Sequence, residues 1–190
     1  IPFIESCLRF FDEHYQYLAK QRGAKALDGN GKLVLYPGSG AETFKMANNS
    51  TSTIAALKTI VNRTIDFLMN KMTGHNVDTS LFRRSKYLVE FYLRIPDINY
   101  QTFNGHTTIA PAKTWERINN TEPTQLYPVF PWGIFGVGKP GLDTAINTWK
   151  YDTLAIKFRS HIGWKQDNIW AARLGLTEEA WKLNELKMQI

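Results

Sequence analysis

The chain has 190 residues, of which 43% are hydrophobic and 21% are charged, an ordinary globular composition that excludes an intrinsically disordered protein. Its net charge of +6 suits an anionic glycan, but the basic residues are scattered and form no run longer than Arg83-Arg84, so we expect no nucleic-acid partner. No apolar stretch is long enough to span a bilayer, and we expect no membrane partner.

Cysteine and histidine are too sparse for a disulfide framework or a metal centre. Cys7 is the only cysteine and lies in an apolar helical stretch, where we expect it to be buried. His14, His75, His106 and His161 lie far apart, and none pairs with another at the spacing of metal ligands. The sequence therefore predicts no metal and no other cofactor.

The first half of the chain shows the helical period of three and four residues in three places. The period predicts helices over residues 4–21, from caps at 48–53 to about 72, and over about 78–95. Residues 32–36 form a short β-branched and aromatic run, which predicts a strand or an extended segment closed by Pro37. A glycine-bearing loop then carries Glu42.

The second half combines a long proline-rich segment with further helices. Residues 96–141 contain several prolines and glycines and many aromatic residues, so we expect a mostly irregular segment, and loops of that length usually carry function. Helices are predicted over residues 142–158, over 165–174 and from 177 onward.

Short strands beside successive helical hairpins predict an all-α domain with loops at one end. No linker or shift in composition divides the chain, so we expect residues 1–190 to form a single domain or part of one.

Three segments resemble, in the right order, motifs of glycoside hydrolase family 95. Residues 33–44 (L-V-L-Y-P-G-S-G-A-E-T-F) resemble the acid loop of that family, L-V-T-x-P-S-x-S-P-E-N-x-F. Residues 126–132 are similar to its H-L-x-G-L-F-P-G stretch, and residues 163–175 to its G-W-S and W-A-R-L-x-D pattern. The chain differs from the family where Ala41 and Thr43 replace a proline and an asparagine.

The resemblance implies an (α/α)6 toroid of helical hairpins with short strands in its loops. The catalytic asparagines of the family and its D-G-N-F-G motif are missing from this sequence, so we expect an incomplete barrel. The chain also starts at Ile1 without a methionine. We therefore expect residues 1–190 to be a partial catalytic domain, with the remainder of that domain outside this chain.

The resemblance also implies an activity. It is that of an α-L-fucosidase-like glycoside hydrolase that acts on a plant or microbial oligosaccharide or polysaccharide with inversion, and Glu42 would be its general acid. A relative with the same toroid outside that family fits the departures better than a strict member. Sequons suit a secreted or periplasmic glycoprotein and lie at Asn48, Asn49, Asn62 and Asn119.

Five further residues are candidates for binding the sugar. Tyr127, Trp132 and Trp164 could stack on sugar rings, as exposed aromatic faces do in proteins. His106 lies in a polar loop that could line the same site, and His14 is the best histidine for a base. Each also has a structural interpretation, because loop histidines are commonly solvated and aromatic residues commonly pack in cores.

Two other functions fit the same residues. A polysaccharide lyase of the same toroid would use a tyrosine or histidine base, and its positive charge would attract a uronate polymer. A non-catalytic carbohydrate-binding domain would use the aromatic loops alone. Glu42 would then be an incidental loop residue, either solvated or paired with Lys45.

Overall fold

The computed structural model describes residues 1–71 and 79–189. The chain divides into two compact units, each built from two segments. Unit 1 comprises Ile1–Tyr36 and Ala56–Asp97, and unit 2 comprises Pro37–Ala55 and Ile98–Ile190. The single domain over residues 1–190 stays a prediction.

Within the described residues there are seven α-helices, five strands and one 3-10 helix. The helices are α1 (Pro2–Gln21), α2 (Thr51–Lys71), α3 (Thr79–Arg94), α4 (Leu142–Tyr151), α5 (Thr153–Phe158), α6 (Asp167–Arg173) and α7 (Thr177–Met188). The strands are β1 (Gly38–Gly40), β2 (Phe44–Ala47), β3 (Tyr100–Phe103), β4 (His106–Ile109) and β5 (Arg117–Ile118). The 3-10 helix spans Thr124–Leu126.

The prediction of an all-α, incomplete (α/α)6 toroid is wrong. The fold of the described residues is mixed, with 52% helix and 12% strand, and it includes two antiparallel sheets. One sheet has the order β1-β2-β5, and the other is the hairpin β3-β4. All of the second sheet and one strand of the first lie in residues 96–141, which the sequence led us to expect as mostly irregular.

The overlooked signal for the second sheet is Asn104-Gly105. Both residues have positive φ, 48° and 80°, as a two-residue type I′ hairpin turn requires. Phe103 pairs with His106 directly across the turn. Prolines on either side of this hairpin suggested a loop, but the Asn-Gly turn and the neighbouring β-branched residues determine the local structure.

The helix predictions differ from the structure in detail. The helix predicted over residues 142–158 is two helices, because Asp152 adopts extended backbone with ψ 117° and caps α5, accepting the Ala155 N–H at 2.7 Å. The predicted ends at Met72 and Asp78 lie outside the described residues. The predicted extended segment makes a single bridge, from Leu33 to Leu27.

Unit 1 contains an ion pair between α1 and α3. Asp12 is 3% exposed and accepts two bonds from the Arg94 guanidinium, at 3.1 and 2.6 Å. Tyr87 donates its hydroxyl to the same carboxylate at 3.0 Å. Burial, followed by the charge of Asp12, raises the pKa of Tyr87 to about 12. Cys7 is exposed rather than buried, because the buried residues of α1 are Leu8, Asp12 and Ala19.

Unit 2 packs strand β4 and the helices α4 to α7 around one apolar cluster, whose largest members are Trp149 and Trp170. Asp152 connects three parts of this unit, since Gln101 of β3 donates to it at 2.7 Å and Gln125 of the 3-10 helix at 3.0 Å.

Among the described residues, no helix is both long and apolar enough to cross a membrane.

Candidate functional site

Glu42 lies at the tip of the hairpin formed by β1 and β2. Gly40 pairs with Phe44, so three residues form the turn, and Ala41 adopts φ 44°, which is uncommon for a residue with a Cβ atom. A Cβ atom at Gly40 would lie 2.8 Å from Thr124 Oγ1, so only glycine fits there. The Glu42 side chain at this tip is exposed.

The segment after β5 lies against this hairpin tip. The Asn119 N–H donates to the Thr43 carbonyl at 2.9 Å, and the Glu122 N–H donates to Thr43 Oγ1 at 3.1 Å. Between these two bonds, the Asn120 amide donates to Glu42 Oε2 at 3.1 Å. The hairpin and the segment therefore hold a second carboxylate, Glu122, beside Glu42.

An open pocket of about 510 Å³ is lined by Glu42, Asn120, Glu122 and Trp164. The Trp164 side chain is 58% exposed and precedes α6. Its neighbour Lys165 donates to Thr121 Oγ1 at 3.1 Å and to the Phe158 carbonyl at 3.1 Å. The loop that carries the indole is thereby fixed to the segment that carries Glu122.

The two carboxylates differ in their surroundings. Glu122 is 6% exposed and accepts the Tyr127 hydroxyl. Burial raises the pKa of Tyr127 above its usual range, and the hydrogen bond to Glu122 and the charges of Glu122 and Glu42 act in the same direction. Tyr127 is thus a hydrogen-bond donor and stays protonated at neutral pH. Lys45 donates to the Ala41 carbonyl at 3.5 Å.

Three of the six residues predicted from the sequence are thereby associated with one site. Glu42 and Trp164 line the pocket, and Tyr127 contacts it through Glu122. Trp132 is half-buried and does not line the pocket, although its backbone N–H donates to the Tyr127 carbonyl at 3.2 Å.

The two histidines lie elsewhere. His106, at the start of β4, stacks on Tyr151 with ring centroids 3.7 Å apart. His14 belongs to α1 of unit 1 and stacks on Phe10 at 4.8 Å, whereas all four residues that line the pocket belong to unit 2. Neither histidine is among the residues that line the pocket.

Asn120 and Glu122 are site residues that the sequence did not indicate. Both belong to a polar run that directly precedes residues 126–132, one of the segments that resemble family 95. Their position next to residues 126–132 was the available signal. Pairing of β2 with β5, Phe44 opposite Ile118, brings this run to Glu42.

The arrangement supplies the groups that a sugar-cleaving site uses. It has two carboxylates, an amide that can bind a hydroxyl group, and an exposed indole face for stacking. In the described part of the chain, no group of three or more histidine, cysteine or acidic side chains is placed to hold a metal ion. The carboxylates and the amide of the pocket offer acid–base and hydrogen-bonding chemistry.

A buried carboxyl group lies close to the Trp164 loop. Asp167, the first residue of α6, is 1% exposed. Burial raises the pKa of Asp167 from 3.8 to about 6, against the lowering effects of the Ser160 N–H and the charges of Lys165 and Arg159. Folding therefore stabilises the protonated form of Asp167 relative to the ionised form.

This buried group predicts a loss of stability with rising pH. Because the folded pKa lies above the ordinary value, the stabilising contribution of Asp167 is complete below about pH 4 and is lost as pH rises through about 6. Asp167→Asn removes this titration. Between pH 4 and 8 we expect the free energy of unfolding of the parent to fall by roughly 2–3 kcal/mol relative to the variant.

Denaturant unfolding followed by tryptophan fluorescence measures this difference, since all six tryptophans lie in unit 2. Parallel pH profiles of parent and variant would contradict the expected titration.

Comparisons with protein-family profiles, with curated proteins and with solved structures find no match.

Proposed function

We propose that the pocket of unit 2 binds a sugar unit of an oligosaccharide or polysaccharide and hydrolyses its glycosidic bond, with Glu42 as the general acid. The observation that carries the proposal is that Glu42, Asn120, Glu122 and Trp164 line one open pocket. A pair of carboxyl groups is the usual catalytic apparatus of glycosidases, and indole faces stack on sugar rings.

The proposed roles of Glu42 and Glu122 follow from the different solvent exposure of their side chains. Glu42 is exposed and can approach a glycosidic oxygen, to which it transfers a proton as the bond to the anomeric carbon breaks. Water then adds to the anomeric carbon and loses its proton to Glu122, the carboxylate held by Tyr127. The inverting course is the one that the resemblance to family 95 implies.

We further propose a family, a specificity and a cellular location from the sequence. Membership of a family 95-like group and an α-L-fucosidase-like specificity depend on the three similar segments. Secretion or a periplasmic location depends on the four sequons. The proposed chemistry does not include the toroid, because the fold is mixed.

A lyase is less well supported by this site. Its base would be a tyrosine or histidine, but burial and the neighbouring carboxylates raise the pKa of Tyr127 and so disfavour the phenolate. No histidine is among the residues that line the pocket. The second candidate is a binding site without cleavage, which is favoured by the hydrogen bond from Asn120 to Glu42, since a carboxylate held by an amide can also bind sugar hydroxyls.

Incubation of the full chain with a panel of neutral, amino and acidic polysaccharides tests the proposal. Release of reducing sugar without unsaturated product is the result expected of a hydrolase. Release of unsaturated product would instead establish a lyase. Retention on a polysaccharide column with neither product would establish the binding site alone, and the absence of both binding and cleavage would overturn all three.

Trp164 provides a test of the proposed stacking of a sugar ring on its indole face. Stacking on an aromatic side chain contributes roughly 0.5–1.5 kcal/mol beyond area burial, so Trp164→Ala should weaken binding of the retained glycan by about two- to tenfold. Trp181→Ala is the matched control, because Trp181 is 67% exposed on α7 and does not line the pocket. Isothermal titration measures both variants. Equal losses in the two variants would remove Trp164 from the site.

A further inference from the structure

A second pocket lies within unit 1, on a face formed by α1 and α3. It has a volume of about 380 Å³, within the range of small-molecule sites. Its lining residues are Pro2, Glu5, Ser6 and Arg9 of α1 with Arg83, Arg84, Tyr87 and Leu88 of α3. Three guanidinium groups and one carboxylate give this lining a net charge of +2.

Two of the guanidinium groups are oriented by their neighbours. Arg84 binds the Glu5 carboxylate with two bonds, at 2.8 and 2.7 Å. The Arg9 guanidinium lies over the Tyr87 ring, 4.7 Å from its centroid. The Tyr87 hydroxyl is in turn fixed on buried Asp12 at 3.0 Å. An arginine held on a ring with a fixed position loses little side-chain entropy when it binds a ligand.

The remaining interactions leave room for an anion. Arg9 lies 3.9 Å from Glu13, but both side chains are well exposed, at 60% and 67%, and such pairs contribute little. Arg83 is exposed on the first turns of α3. Planar guanidinium forks match the oxygens of phosphate and carboxylate groups and bind them through two parallel hydrogen bonds.

We propose that this pocket binds a small-molecule phosphate monoester. The net charge of the lining matches a dianionic group, and Arg9 and Arg83 are the residues that would donate to it. The volume that the phosphate leaves accommodates the organic part, against Pro2 and Leu88. This site belongs to unit 1 and is independent of the proposed hydrolysis in unit 2.

Titration of the full chain with inorganic anions at constant ionic strength tests the charge argument. Phosphate and sulfate should bind, whereas nitrate, a planar monoanion, should bind at least about tenfold more weakly. Glucose 6-phosphate should bind more tightly than inorganic phosphate, and glucose should not bind. Equal affinity for nitrate and sulfate, or no binding of any anion, would overturn the proposal. Equal affinity for glucose 6-phosphate and phosphate would show a site for the inorganic ion, not for an ester.

Variants locate the binding. Arg9→Gln and Arg83→Gln should each weaken phosphate binding by about tenfold, as expected for loss of a charge-assisted hydrogen bond. Arg9→Lys, which keeps the charge but not the fork, should lie in between. Arg63→Gln is the matched control, an exposed arginine on α2 of the same unit. If phosphate bound both variants as it binds the parent, or if Arg63→Gln lost as much, the anion would be held elsewhere. Circular dichroism of each variant confirms that the helices are intact.

Discussion

Glu42→Gln is expected to lower turnover of the natural glycan by roughly 10²–10⁴-fold, the contribution usual for general acid catalysis. The amide keeps the size of the side chain but has no transferable proton. Binding should survive, because the Asn120 amide can still donate to the glutamine carbonyl in place of Glu42 Oε2. The measurement is kcat and KM on the glycan that the parent cleaves, together with thermal stability.

The leaving group separates acid catalysis from collapse of the hairpin tip. Aryl glycosides with good leaving groups need little protonation in the transition state, so their turnover should fall far less than that of the natural glycan. Glu178→Gln is the matched control, since Glu178 is exposed on α7. If Glu42→Gln kept turnover within about threefold of the parent, or lowered both substrate types equally with loss of stability, Glu42 would not be the acid.

The fold could be predicted where the signal was local. The apolar period gives α1, which ends at Gln21 as expected, because side chains three and four residues apart share a helix face. The β3-β4 hairpin was also encoded locally, in Asn104-Gly105, but the prolines nearby outweighed that signal in our interpretation. The break between α4 and α5 depends on Asp152, whose partners Gln101 and Gln125 are distant in sequence.

The candidate site could be predicted only in part, because its residues are distant from one another in the sequence. Glu42 stood out as the single carboxylate in a glycine-bearing loop, and the close approach of Thr124 Oγ1 explains the glycine at residue 40. Its neighbour Glu122 is 80 residues further along the chain. Pairing of β2 with β5 brings them together, and no periodicity in the sequence reports a strand pairing of two residues.

Asp12→Ala is expected to cost about 3–5 kcal/mol of the free energy of unfolding, the second large effect that the structure predicts. Asp12 is 3% exposed and binds Arg94, Tyr87 and Gln16. Its removal leaves the Arg94 charge and two polar groups without their shared acceptor. Denaturant unfolding followed by far-ultraviolet circular dichroism measures the loss, since tryptophan fluorescence reports on unit 2.

An exposed ion pair of unit 1 gives the comparison. Asp97 is 79% exposed at its side chain and lies 3.0 Å from Lys58, so Asp97→Ala should cost less than about 1 kcal/mol. Replacing the whole buried pair by Asp12→Leu with Arg94→Met should recover much of the stability, because the apolar pair has no charge to desolvate. Equal losses for Asp12→Ala and Asp97→Ala would show that the Asp12 carboxylate does not hold α1 to α3.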